Sequence, residues 1–283
     1  MRTSKALVLA WMILQTSRAA AQSPSPGIAP EPPLPAESPS PSTESGPVYD
    51  LRYKATPPFH LTYHTVVRES VHDYPESAKV PDVEGDEPAP QSATGVIETD
   101  QTVRYDYQAV DADTINVSST LDTFKLVVDG EAVEYRPEAT AGSKQMSSKG
   151  YRKVAGKAAG DFDKLEVVLP LEPVPVGGEW TYTAPPTQDL PIFLMTVYTL
   201  KDVRELDGKK VAIIQGKTRA DEIDPVRSLR IQIDGTARIQ FDVDAGQLIR
   251  SNFRLRMITA PANGTGGKVL KVIRTENELV PAN

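Results

Sequence analysis

The side chains best suited to bind a metal or move a proton at neutral pH are three histidines, His60, His64 and His72. His60 and His64 stand four apart. On a helix they would share a face and hold one zinc ion. Their surroundings alternate instead, with Phe59, Leu61, Tyr63, Thr65 and Val67 in one phase and His60, Thr62, His64, Val66 and Arg68 in the other. Alternation marks a strand, and four residues of strand separate the two rings by about 13 Å. One ion does not span that gap. Both rings are therefore expected on an outer face, with His72 in the loop beyond. No histidine follows His72, so a downstream serine has no imidazole base.

Three acidic pairs have the opening spacing of a calcium loop: Asp111 with Asp113, Asp161 with Asp163, and Asp242 with Asp244. A full loop needs glycine at its sixth position and a bidentate glutamate at its twelfth. Counted from Asp242 these are Gln247 and Phe253, so the spacing fits a turn better than a cation site. Cysteine is absent, which removes disulfides, thiolate nucleophiles and Cys-based zinc or haem sites. No serine elbow, phosphate loop or dinucleotide fingerprint is present. No catalytic residue, no metal site and no cofactor is assigned. A carboxylate pair meeting in space is the one enzymatic route left open.

The elements that would position any site are strands. Val96–Ala109 is extended, with Val103, Tyr105 and Tyr107 on one side. Thr114–Leu121 alternates Ile115, Val117, Ser119 and Leu121, and Asp122–Val128 follows. Asp-Gly pairs at Asp129-Gly130, Asp207-Gly208 and Asp234-Gly235 separate apolar runs, a strong hairpin signal because both residues tolerate positive φ. Further strands are expected at Leu165–Leu171, Glu179–Tyr182, Met195–Val203, Lys210–Gln215, Ser228–Ile233, Ala237–Asp242, Gln247–Ile258 and Lys268–Arg274. Short helices are expected only within Met146–Gly160 and Gly216–Arg227. The fold class is all-β, a large curved antiparallel sheet or half-barrel of ten to twelve strands built from successive hairpins.

Ahead of this domain, Arg2 and Lys5 precede the apolar run Ala6–Leu14, and Ala19 and Ala21 occupy the two positions a signal peptidase reads. The run is too short to cross about 30 Å of hydrocarbon at about 1.5 Å per residue. Residues 1–21 are expected to be a signal peptide and the remainder an exported, periplasmic or extracellular chain without a transmembrane span. Residues 22–48 carry nine prolines in a Ser/Ala/Glu background and read as a flexible, extended tether. Residues 49–283 form the β-rich domain.

Charge is unevenly spread. Of 38 acidic and 31 basic residues, Gln22–Arg104 holds 13 acidic and 5 basic, a net of −8. Asp82, Glu84, Asp86 and Glu87 concentrate it in an acidic loop near residues 69–92. A basic loop is expected at Lys144–Lys157. A nucleic-acid partner is not expected from an acidic chain. One cationic stripe stands out: Arg250, Asn252, Arg254 and Arg256 share a strand phase, with Arg230 and Arg238 on a neighbouring strand. It serves either as a wet outer face with ionic cross-strand pairs or as a docking surface for an anion. Trp180, Phe253 and Leu255 are expected in the core.

The string Val197–Ile214, the run Phe241–Ile249, Leu51-Arg52-Tyr53-Lys54 and Pro175–Trp180 together resemble a family of exported bacterial β-rich proteins catalogued only as a domain of unknown function. The successive hairpins are also similar to the half-barrel of periplasmic lipoprotein carriers, which implies a hydrophobic cavity. The expected function is a non-enzymatic binding or structural module of the cell envelope, with a protein, glycan or lipid partner. The alternatives are a lipid or lipoprotein carrier with an apolar cavity, and a hydrolase using unmarked carboxylates.

Overall fold

The structure is a computed structural model that describes residues 46–78, 80, 93–137, 140–154, 167–186, 190–224 and 226–281. Ala19, Ala21, most of the proline-rich stretch, the acidic cluster from Asp82 to Glu87, and Asp161 with Asp163 lie outside the described residues.

Fourteen strands are described and no helix. They are β1 (Val48–Tyr49), β2 (Phe59–Tyr74), β3 (Gly95–Ala109), β4 (Thr114–Val128), β5 (Glu131–Val133), β6 (Ala141–Ser147), β7 (Arg152–Val154), β8 (Val174–Pro175), β9 (Glu179–Ala184), β10 (Leu194–Leu206), β11 (Lys209–Asp224), β12 (Leu229–Asp242), β13 (Gln247–Pro261) and β14 (Lys268–Leu279). Eleven make one antiparallel sheet in the order β7-β6-β4-β3-β2-β14-β13-β12-β11-β10-β9, with β5 beside β4. β1 pairs separately with β8. The sheet is two meanders joined where the first long strand meets the last.

The turns form where sequence chemistry asks for them, with one exception. Asp129 and Gly130 have φ of 51° and 83°, and Asp207 and Gly208 have 52° and 71°, the two positive values of a type I′ hairpin. Asp234-Gly235 instead runs straight through β12, opposite Arg256 and Leu255 of β13. Its glycine serves packing. A Cβ there would stand 3.1 Å from Leu255 Cδ1 and 3.2 Å from the Thr218 side chain. The chain reverses at Asp224–Ser228 and at Asp242–Gly246 instead, where Asp224 Oδ1 accepts from Val226 and Arg227 N–H and Asp242 Oδ1 accepts from Ala245 N–H.

Several segments correct the sequence reading. Gly216–Asp224 continues β11 rather than forming a helix, because alternating Gly216, Thr218 and Ala220 fit opposite Ala237, Gly235 and Ile233. Met146–Val154 holds strand and turn, not helix. Val167–Leu169 is buried but is not a strand. β2 runs on to Tyr74, so Glu69–Tyr74 and His72 belong to a strand and not to the acidic loop.

One face of the sheet must be concave. A single apolar cluster joins Ile115 and Val117 of β4 and Met146 of β6 to Tyr198 and Leu200 of β10 and Ile214 of β11. These strands are far apart in the sheet, so only a sheet curled upon itself brings them together. Bulges at Asp122, Lys201 and Ile249 break the register of β4, β10 and β13 near this cluster and add local bend. The edge strands β7 and β9 approach without pairing into a closed barrel. Tyr151, just before β7, meets Tyr182 of β9 edge to face at 5.8 Å. Trp180 Nε1 donates to Val168 O at 2.9 Å, and Leu169 N–H to Lys149 O at 2.8 Å. The segment Val167–Leu169 thus threads the seam.

Candidate functional site

The concave face has two unlike ends. At the end holding Phe59–Tyr63 it is filled. Leu51, Tyr53 and Ala55 insert from the N-terminal side, each at most 5% exposed. Tyr53 N–H donates to Ser148 O at 2.7 Å and Lys54 N–H to Gly246 O at 3.2 Å, so this segment bridges the two halves of the curl. The Tyr53 hydroxyl donates to Val167 O at 3.1 Å, and its ring packs edge-on against Phe241 at 5.3 Å. Gly246 (φ 66°) is needed here because a Cβ would lie 2.6 Å from the Lys54 backbone nitrogen.

Lys149 locks this plug. Expected in an exposed basic loop, it is buried, and its Nζ donates to Asp50 Oδ1 at 2.6 Å and Leu51 O at 2.8 Å. Burial pushes the Asp50 carboxyl up, but the Lys149 ammonium and Arg52 guanidinium together outweigh it and hold that carboxyl below its ordinary range. Lys144 of the same expected loop lies in β6.

Midway along the concave face runs a polar row. Gln101, Thr65, Asn277 and Ser251 are direct cross-strand neighbours, all at most 6% exposed. Asn277 Nδ2 donates to Ser251 Oγ at 2.9 Å, while Thr65 Oγ1 and Asn277 Oδ1 have no partner. Beyond it the row Leu126, Thr99, Val67, Thr275, Phe253 and Ala237 leads on to the other end.

That other end is open. In register lie Val128, Ile97, Glu69, Ile273 and Leu255, and next to them Val71, Lys271 and Met257. All eight are only partly buried, whereas the filled end sets buried Tyr63, Val103, Tyr105 and Leu248 beside its partly buried Phe59, Leu61, Leu121 and Leu279. Toward β12 the face is roofed, with Leu190, Ile192 and Leu194 packing onto Ile231, Ile233, Leu255 and Met257. Over β14, β2, β3 and β4 the half-exposed apolar residues surround one ion pair. Lys271 Nζ stands 2.5 Å from Glu69 Oε2, with side chains 31% and 22% exposed. Six partly exposed apolar side chains within a curled sheet, with one charged pair among them, make a surface suited to an apolar chain.

The residues singled out in the sequence fall elsewhere. His60 and His64 face outward as expected, and His64 Nε2 lies 2.8 Å from Asp100 Oδ1. His72 also faces outward, but it is buried, with Nε2 3.2 Å from Ser70 Oγ. Asp111 and Asp113 serve their own turn, Asp111 Oδ1 accepting from Asp113 N–H and Asp113 Oδ1 accepting from the Ser148 hydroxyl. No group of three metal-capable side chains occurs among the described residues.

The arginine stripe is on the outer face, where Arg254 stands directly opposite Arg274, itself opposite Arg68. Arg238 lies on β12 opposite Asn252. Arg230 makes a bidentate pair with Asp221 at 2.8 and 2.7 Å. Hydrogen bonds from Arg230 and then Gln232 hold the Asp221 carboxyl down at about 2. Trp180 and Phe253 pack against the main cluster and Leu255 against the smaller one, as expected. Trp180 stacks on Tyr198 at 5.5 Å. Burial, with Tyr182 and Tyr151 adding to it, raises the Tyr198 phenol to about 12.

No protein-family model matches the chain, and no curated protein does. No helix among the described residues is long and apolar enough to cross a membrane. The chain is an all-β protein built on one curled, unclosed antiparallel sheet.

Proposed function

We propose that the protein is a non-enzymatic, exported binding module whose open concave face holds the apolar chain of an amphiphile. The observation that carries this reading is the contrast between the two ends of the face. The same alternating strands that bury Tyr63, Val103 and Ile239 almost completely leave Ile97, Ile273, Leu255 and Met257 partly in water. The filled end has its own plug, whereas the open end presents apolar surface framed by strands and a roof loop. Apolar surface gathered in a concavity is where small apolar ligands are taken up. This is the carrier alternative among the expected functions. It accords with the likeness of the hairpin array to lipoprotein-carrier half-barrels, an argument from architecture alone.

The signal-like N-terminus and the proline-rich stretch support export and a tethered position in the envelope. Native mass spectrometry of the protein purified from its own host's envelope fraction tests the reading. A co-purifying lipid that is lost on organic extraction is expected. A bare mass before extraction would refute tight lipid carriage and leave a protein or glycan partner to be sought.

A further inference from the structure

We infer that the Glu69–Lys271 pair is the head-group subsite of the open face, and that it selects amphiphiles whose polar end is an anion, a carboxylate or a phosphate. The inference rests on the reading of this face as an apolar-chain site.

Both residues belong to the inward phase of their strands. Glu69 follows Tyr63, Thr65 and Val67, and Lys271 lies between Val269 and Ile273. Charges pointing inward are common on edge strands, where they deter edge-to-edge pairing. β2 and β14 are central strands, paired on both sides, so that explanation does not apply. As a stabilising device the pair is poor. A half-exposed ion pair contributes little to stability, and apolar residues at the same two positions would extend the patch formed by Val71, Ile97, Ile273 and Met257.

The pair is also incompletely satisfied. Each residue has the other as its one charged partner among the described residues. An ammonium carries three donors, so two are left for a ligand. The direct cross-strand neighbours of Lys271 are Val71 and Met257, and the other acid of this phase, Asp73, stands one place further on, opposite Val269.

The sign of the ligand follows from access. Lys271 is the more exposed of the two, at 31% against 22%, and its longer stem lets the ammonium move toward an incoming group. An anion can share the ammonium with Glu69. A cation would have to reach the less exposed carboxylate past the ammonium. From this anchor the row Ile97, Glu69, Ile273 and Leu255 crosses four strands, about 14 Å at ~4.8 Å per strand, and offers an apolar path on which a chain can lie.

The test uses the chain lacking only residues 1–21, with cis-parinaric acid and its methyl ester as fluorescent probes that share one chain and differ in charge. The ester reports the open face and the acid reports the subsite. The wild type is expected to bind both, the acid about ten-fold tighter. Lys271→Met should abolish that preference while leaving ester binding within about two-fold. Glu69→Gln should strengthen acid binding, since it removes a competing anion, and provides a second reading should Lys271→Met fail to fold. Displacement of the acid by dodecanoate or by dodecyl phosphate then distinguishes a carboxylate from a phosphate head. Equal binding of acid and ester by the wild type, or a preference unchanged in both variants, overturns the head-group assignment and leaves the open face standing. Binding of the ester alone likewise overturns the head-group assignment, and failure of both probes to bind overturns the reading of the face itself.

Discussion

Lys149→Met tests whether the N-terminal segment is held in the curl by one buried ammonium. The substitution keeps the apolar stem and removes the charge. Two interactions go with it, the 2.8 Å bond to Leu51 O and the 2.6 Å bond to Asp50 Oδ1. Leu51 is 0% exposed, so its carbonyl is left without a partner in the interior, at a cost of about 1–3 kcal/mol. The Asp50 side chain is 37% exposed and keeps Arg52, so the loss of that pair is screened and costs no more than about 1 kcal/mol. The sum is a destabilisation of about 1–4 kcal/mol. Asp50→Asn, which leaves the carbonyl bond intact, should cost about 1 kcal/mol or less. Urea unfolding can be followed through Trp180, the one tryptophan outside residues 1–21, whose indole bonds Val168 O beside the plug. The expected result is a lower midpoint with an unchanged slope. A Lys149→Met protein within about 0.5 kcal/mol of wild type, or an Asp50→Asn protein as damaged as Lys149→Met, would refute the argument that the carbonyl dominates.

Four further outcomes are expected. Gly150→Ala should destabilise by more than about 2 kcal/mol, because a Cβ at φ 85° would lie 2.6 Å from Val167 O. Gly235→Ala, at ordinary φ with its nearest contacts at 3.1 Å to Leu255 Cδ1, 3.2 Å to Thr218 Cβ and 3.3 Å to Arg254 O, should cost less than Gly150→Ala, and equal unfolding midpoints for the two would contradict this. Thr65→Val should be neutral or stabilising by about 1 kcal/mol, since it deletes a buried hydroxyl that lacks a partner, and thermal melts would show a clear loss if that hydroxyl were satisfied. Asp50 has a folded value below its ordinary 3.8, so its stabilising contribution is present above that value and fades as pH falls through the lowered one. Acid titrations of wild type and Asp50→Asn should therefore separate above the ordinary value of 3.8 and converge as the pH falls through the lowered one, and parallel curves throughout would contradict this.

The all-β class and most strands were legible in the sequence because a half-buried strand writes its own alternation. Asp129-Gly130 and Asp207-Gly208 read correctly as turns. Asp234-Gly235 has the same two letters but sits on the inner face beneath Leu255, where the glycine answers a steric demand from other strands. Local signals cannot distinguish these two uses of glycine. His72 and Glu69 were assigned to a loop because the acidic, proline-containing run after Tyr74 coloured the residues before it. Only pairing with β3 and β14 makes them strand.

The open face was the least legible part. Glu69 and Lys271 are far apart in the chain, and each taken singly is an ordinary charged residue. The signal available was phase, a charge on the same beat as Tyr63, Thr65 and Val67 and another on the same beat as Val269 and Ile273. Lys149 shows the converse. A cluster of basic residues in the sequence suggested a solvated loop, and one member is buried for a structural purpose.

The junction of the two meanders constrains how the protein comes into being. Tyr63 pairs with Leu279, a separation of 279 − 63 = 216 residues, whereas the strands within each meander pair with near neighbours. Local hairpins can form as soon as they are made, but the central seam between β2 and β14 must wait for the last strand to be synthesised. Until then β2, already paired with β3 on one side, leaves its other edge open over the twelve residues Tyr63–Tyr74 that β14 will cover, an edge able to join the wrong partner. Pairings this distant are slow to form, so a ribosome or exporter that delivers the N-terminus first leaves the chain exposed for longest at its own centre. Truncation by a few C-terminal residues should therefore be felt in the middle of the sheet rather than at its margin.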